Sequence, residues 1–153
     1  MTSASPSGIH VWLVLMKAYR SVVRHAQRSV EQFGLGISDF AILELLLHKG
    51  PQNVNTIGRT VALTSGAITT AIDRLESQGK VERGAHPTDR RSRVVCLTAQ
   101  GRKEIETIFA AHAEAMSDAA RGLSGAEKAA LVKLLKKLGT TADAGFEGPR
   151  EQT

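Results

Sequence analysis

Cysteine is nearly missing from this chain: Cys96 is the single one in 153 residues. A lone thiol excludes an intramolecular disulfide framework and any metal site built from several cysteines. It falls in the apolar run Val94-Val95-Cys96-Leu97, where a small packed hydrophobe is the expected role. Aromatic residues make up only 4%, so a core must be assembled from Leu, Ile, Val and Ala, a composition that favours helices over a β-sandwich. Long hydrophobic runs are missing too. The longest, Ile37–Leu47, is interrupted by Ser38, Asp39 and Glu44 and cannot span a bilayer. The opening MTSASPSG has neither a basic start nor an apolar signal core, so a cytoplasmic protein with no membrane partner is expected. No Gly-rich phosphate loop, metal-spaced His/Cys set or nucleophile elbow occurs, and the five histidines lie far apart. The expectation is no enzyme, no cofactor and no metal.

What is present is charge of one sign in one place. Residues 80–103 carry seven basic side chains (Lys80, Arg83, Arg90, Arg91, Arg93, Arg102 and Lys103) against two acids, Glu82 and Asp89. The rest of the chain is balanced, with 13 basic and 13 acidic residues, so the whole formal excess of +5 sits in this segment. A localised basic excess suits a polyanion such as nucleic acid.

The chain length fits one domain with a real core. Residues 1–7 and 142–153 are rich in Ser, Gly, Pro and charge and read as loose tails around a single domain, 8–141. From Ile9 to about Phe33 the chain is free of Gly and Pro and reads as one long helix, with Val11, Trp12, Leu15, Tyr19, Val22, Val23 and Val30 as its apolar stripe. Ser38 is the expected N-cap of the next helix, with Asp39 in its first turn and Gly50-Pro51 as its stop. Asn53 caps a short helix, Val54–Val61. Thr64 or Ser65 caps another through Gln78, stopped by Gly79. Lys80–Gly84 and Arg93–Leu97 read as strands of a hairpin. Thr98 opens a helix to about Arg121, and Ser-Gly-Ala-Glu at 124–127 is a capping box before Leu131, Leu134, Leu135 and Leu138. The fold class is mainly α with a small β-hairpin wing. Two short helices separated by about three residues and followed by a hairpin make a winged helix-turn-helix over 38–98, flanked by helices over 8–33 and 99–141.

In the helix from Ser65, the spacing of Ile68, Ile72 and Leu75 directs them to the core. Thr64, Ser65, Gly66, Thr69, Thr70 and Arg74 then belong to the helix N-terminus and the outward face. Small hydroxyl residues there approach base edges closely, and free backbone N–H groups attract phosphate. No glutamate occupies the first two turns, where a purely structural helix would gain from one. A winged helix used only to bind other proteins is the alternative. It predicts an apolar exposed face and gives no reason for arginines at the hairpin tip.

Residues 38–103 resemble the MarR family of bacterial transcriptional regulators. The signals are "DRLESQGKVERGAHPTDRRSRVVCLT" and the Leu97-Thr98 and Gly101 that enter the fifth helix. The resemblance implies a homodimeric repressor of double-stranded DNA on a pseudo-palindromic operator, with the flanking helices as the dimerisation region. It also implies a wing tip in the minor groove, its Asp-x-Arg pattern falling on Asp89 and Arg91. Arg91, with Arg90 beside it, would be the inserted cation, and Asp89 would orient it. Many family members carry an arginine where this chain has Thr70, so contact with thymine methyls replaces a bidentate guanine contact. A small aromatic or phenolic effector is implied between the dimerisation helices and the DNA-binding lobe, where His10, Trp12 and Tyr19 are the candidate contacts. The family's oxidant sensors use a cysteine near the N-terminal helix, and this chain has none there.

Overall fold

The computed structural model describes residues 5–85 and 93–146. Its elements follow the expected order: α1 (Gly8–Glu31), α2 (Ile37–Lys49), α3 (Val54–Thr60), α4 (Ser65–Ser77), β1 (Val81–Ala85), β2 (Arg93–Leu97), α5 (Ala99–Ala119) and α6 (Gly125–Phe146). This is a winged helix-turn-helix with flanking helices. The chain divides into two compact units, Met1–Met116 and Ser117–Thr153.

In the first unit several helix ends are made by local side chains. Ser7 Oγ accepts from the His10 amide at 3.3 Å to start α1, and Asn53 Oδ1 accepts from the Thr56 amide at 2.8 Å to start α3. The Thr64 hydroxyl accepts from the Ala67 amide to start α4. That helix ends with Gly79 at φ +70, its amide donating to Glu76 O and the Lys80 amide donating to Leu75 O at 3.0 Å. A left-handed glycine with this pair of bonds satisfies the last carbonyls and turns the chain into the wing. Because the Lys80 backbone serves this closure, β1 starts at Val81, one residue later than expected.

The start of α2 differs from the sequence expectation. Gly36, in extended backbone, is the N-cap and makes no side-chain capping bond, while Ser38 lies inside the first turn. Leu35 and Phe40 are both buried, and anchoring them fixes where the helix begins. Packing overrides the capping preference of serine here, while Asp39 stays in the first turn as expected and also takes a partner from α4, as shown below.

β1 and β2 pair antiparallel with Val81 opposite Leu97, Arg83 opposite Val95 and Ala85 opposite Arg93. Gln52, between α2 and α3, adds a two-bond bridge to Val95, with N–H to O distances of 3.1 and 2.8 Å. It ties the front of the helix-turn-helix to the wing. The core beneath them is one cluster that includes Ile42, Leu43, Leu46, Ile57, Ile68, Ile72, Leu75, Val81, Val95, Ile105 and Ile108. Each fully buried Leu or Ile contributes roughly 1.5–3 kcal/mol relative to exposure. Cys96 is not among them. The pleat that buries Val95 places Cys96 on the other face, half-buried, with its S–H directed at Glu82 O 3.6 Å away.

Thr98 joins wing and α5. Its hydroxyl donates to Gly79 O at 2.6 Å and accepts from the Gly101 amide at 2.9 Å, while its own amide donates to Lys80 O at 3.1 Å. A Cβ on Gly101 would lie 1.9 Å from Lys80 O, so only glycine fits there. This is the physical content of the Leu-Thr…Gly signature.

α1 buries only Ser29 and Val30. Ile9, Val11, Trp12, Leu13, Val14, Tyr19 and Val22 are exposed. In the second unit, the capping box forms as expected: the Ser124 amide donates to Glu127 Oε2 at 2.8 Å, and the Glu127 amide donates to Ser124 Oγ at 3.3 Å. α6 runs to Phe146, five residues beyond Thr141 where a loose tail was expected. A nucleated helix propagates cheaply through Ala142, Asp143 and Ala144. Leu131, Val132, Leu134, Leu135 and Leu138 are exposed along it. Among the described residues, no helix is long and apolar enough to cross a membrane.

Candidate nucleic-acid interface

α4 meets the helix before it through a tight turn in which Ala62 adopts φ +56 and the Leu63 amide donates to Gly58 O at 2.9 Å. Ile68, Ile72 and Leu75 are buried, as the spacing predicts, and Ala71 with them, which leaves Ser65, Gly66, Thr69, Thr70 and Arg74 on the outer face. Thr64 satisfies the Ala67 amide, and the amides of Ser65 and Gly66 in the first turn have no intrahelical acceptor. With no acid in that turn, the helix end is an electropositive pole.

The two threonines are oriented. Thr69 Oγ1 donates to Ser65 O and Thr70 Oγ1 donates to Gly66 O, both at 3.0 Å. With its hydrogen used in this way, each hydroxyl offers the outside only lone pairs and a methyl group. Such a surface accepts from adenine N6 or cytosine N4 and packs on a thymine methyl.

Arg74 stands differently from the other residues of this face. Its Nε donates to Asp39 Oδ2 at 2.9 Å and its Nη2 to Asp39 Oδ1 at 2.5 Å, a bidentate pair on a carboxylate that is almost wholly buried. The guanidinium is held against the start of α2, and that hydrogen bonding raises its pKa above the ordinary arginine value. Sequence reading missed this partner because it lies 35 residues away.

A cleft of about 300 Å³ between α3 and α4 is lined by Asn55, Arg59, Ser65 and Thr69 together with apolar residues. Arg59 was not expected at this site. It lies in the last turn of α3, lines the same cleft as Thr69, and has no acidic partner among the described residues. In helix-turn-helix docking the first helix crosses the phosphate backbone, which gives a cation at this position a place to bind.

On the wing, Arg83 donates through Nη2 to Asp73 Oδ1 at 2.5 Å and through Nη1 to Glu76 Oε2, while its amide donates to Glu76 Oε1 at 3.2 Å. Hydrogen bonding to Asp73 raises the Arg83 pKa, with Glu76 adding to it. The expected tip residues Asp89, Arg90 and Arg91 lie outside the described residues. Arg93 at the foot of the tip is exposed.

The expected effector contacts His10, Trp12 and Tyr19 are exposed along α1, Trp12 at 55% and Tyr19 at 60% in the case of the aromatics. Neither the α3–α4 cleft nor one of about 400 Å³ that includes Ser38, Asp39, Arg74 and Gln78 is lined by them. Where α1 does join the core, Ser29 Oγ donates to Ala26 O and so accepts from His112 Nδ1 at 2.9 Å, and the His112 ring lies 4.5 Å from that of Phe40. Burial pushes the His112 pKa down, and the charge of Glu44 opposes that shift only partly.

A MarR-family profile matches residues 35–92, from the end of the α1–α2 turn to the residue before β2. Over 134 residues the chain is 37% identical to the HTH-type transcriptional regulator MhqR of Bacillus subtilis, covering 88% of this chain and 92% of that protein. The chain belongs to the MarR family. As a MarR-family protein it is a DNA-binding transcriptional regulator and not an enzyme. Among solved structures, Bordetella bronchiseptica BpsR, whose DNA binding is regulated by 6-hydroxynicotinic acid, is similar with a TM-score of 0.72 at 25% identity, over 91% of this chain and 97% of that one. A variant of Escherichia coli MarR complexed with operator DNA shares the fold with a TM-score of 0.72 at 23% identity, over 84% and 92% of the two chains.

Proposed function

We propose that this MarR-family regulator is a homodimeric repressor. It reads a pseudo-palindromic operator through α4 in successive major grooves, with the wing tip in the flanking minor grooves, and a small aromatic or phenolic ligand releases it. The observation that carries the reading is the outer face of α4: an electropositive N-terminus free of acid, with Ser65, Gly66, Thr69 and Thr70 exposed and both threonine hydroxyl hydrogens turned inward. The exposed large apolar residues lie on α1 and α6 and at Phe33, and not on this face, which argues against a protein-binding role for α4. Those apolar residues support self-association. A two-fold dimer presents its helices to half-sites about 10 bp apart or a multiple of that spacing. Release by a ligand is supported by the similarity to Bordetella bronchiseptica BpsR, whose DNA binding is regulated by 6-hydroxynicotinic acid.

The test combines selection of bound DNA from a random pool with salt titrations of Arg91→Ala and Thr70→Ala. Arg91→Ala should flatten the slope of log K against log[salt] by about one unit per protomer and leave major-groove preference standing. Thr70→Ala should keep the slope and lose ~1–3 kcal/mol of discrimination at one base pair. Selected sequences without two-fold symmetry would reject the dimeric operator. An unchanged slope for Arg91→Ala would reject the wing as a DNA probe.

A further inference from the structure

Thr69, Asp73 and Glu76 follow one another along α4 at spacings of four and three residues, so they form one stripe on the helix surface. The stripe starts at the end of the helix that faces base edges and finishes beside β1. Unopposed, its two carboxylates would repel phosphate. They are instead both engaged by Arg83, in the middle of β1, which forks one guanidinium nitrogen to each. The strand backbone is held as well, because the outward-facing Arg83 amide on this sheet edge donates to Glu76 Oε1. Three bonds therefore join the recognition helix to the strand that leads, two residues later, into the wing tip.

We propose that Arg83, with Asp73 and Glu76, is a positioning clamp that sets the wing against the recognition helix, so that major-groove and minor-groove contacts are made together. The proposal rests on the reading of α4 and the wing as DNA contacts. A bare charge-neutralising role and a positioning role can be told apart, because they predict opposite signs for one variant. Replacing both acids by alanine (Asp73→Ala with Glu76→Ala) removes all three acceptors and raises the net charge by two per protomer. Electrostatics alone would then tighten binding to any DNA. Loss of the clamp lets the wing swing, and the ordering it must undergo on binding weakens operator affinity.

The experiment uses the full chain with a selected operator duplex and a scrambled one. Footprinting with hydroxyl radical reads the minor groove, and dimethyl sulfate protection reads guanine N7 in the major groove. For the double variant the expected result is operator affinity reduced about tenfold, with scrambled-DNA affinity equal or higher. Hydroxyl-radical protection flanking the half-sites should disappear while dimethyl sulfate protection within them persists. Arg83→Lys keeps the charge but, as a compact ammonium, cannot fork to both carboxylates, and should show the same loss in weaker form. These three residues are partly exposed, so the variants should melt near the wild type, which a thermal scan verifies. Equal or tighter operator binding by the double variant, with flanking protection intact, would overturn the clamp. Absence of flanking protection in the wild type would overturn the underlying wing reading instead, and the clamp with it.

Discussion

α4 and α1 are both amphipathic helices of the same unit, yet they are completed in opposite ways. α4 buries Ile68, Ala71, Ile72 and Leu75 against its own chain and turns small polar groups outward. α1 is nearly twice as long, buries only Ser29 and Val30, and leaves Ile9, Val11, Trp12, Leu13, Val14, Tyr19 and Val22 exposed. The same periodic signal thus has two meanings. On α4 it describes an element whose energetics are settled within the protomer, free to present a chemically defined surface. On α1 it describes apolar side chains that the protomer leaves exposed, and which the proposed dimer would cover.

The sharpest way to break this contrast is a pair of truncations. Leu75→Ala removes a fully buried side chain and should cost about 2–5 kcal/mol, lowering Tm independently of protein concentration. Trp12→Ala should leave the protomer's fold intact, as read by far-ultraviolet circular dichroism, and instead weaken self-association in sedimentation equilibrium. Equal, concentration-independent losses for both would erase the distinction.

The seat of the wing should be nearly as sensitive. Gly101→Ala places a Cβ against Lys80 O, and relief requires α5 or the wing base to move. About 1–3 kcal/mol or more is expected, visible in chemical denaturation, with DNA affinity falling alongside. A neutral outcome would mean that this joint yields easily.

Arg74→Ala addresses whether α4 is held only by its apolar stripe. It strands the buried Asp39 carboxylate, but the arginine side chain is 46% exposed, so water can reach the site. A loss of about 1–2 kcal/mol is expected, and Asp39→Asn combined with Arg74→Ala should recover part of it in a double-mutant cycle.

The smallest effect probes the place where α1 is closed. His112 has a folded-state pKa below the ordinary imidazole value, chiefly from burial, so the folded state disfavours its proton. Its contribution is fully present above about pH 6.5 and is lost as pH falls through the folded-state value. His112→Gln should therefore flatten the stability profile on the acid side of neutrality, measured by urea denaturation between pH 5 and pH 7.5, roughly the window in which histidine titrates. A profile unchanged by the substitution would remove His112 from the account.

How much could be read in advance varies by residue. The winged helix, the buried stripe of α4 and its exposed hydroxyls were legible, because each is a periodicity or a turn signal. The role of Arg74 was only half legible: its place on the outer face was correct, but its bond to Asp39 was not foreseen. Asp39 itself was read as a helix-dipole charge, and Arg83 was counted in the basic excess without its clamp. No local pattern marks either pairing.

The division has a physical origin. By itself the sequence determined the interactions that close within about four residues: the caps at Asn53 and Thr64, the Ser124–Glu127 box, the Gly79 stop and the helical apolar spacing. Their partners lie within one helical turn, so backbone geometry fixes them unless packing shifts the helix start, as it does at Ser38. Only the tertiary structure decided the start of α2 at Gly36, the Gln52–Val95 bridge, the Asp39–Arg74 pair and the Ser29–His112 bond, the last two spanning 35 and 83 residues. Those choices depend on which surfaces the core brings together, and a polar side chain then takes the partner that burial leaves it.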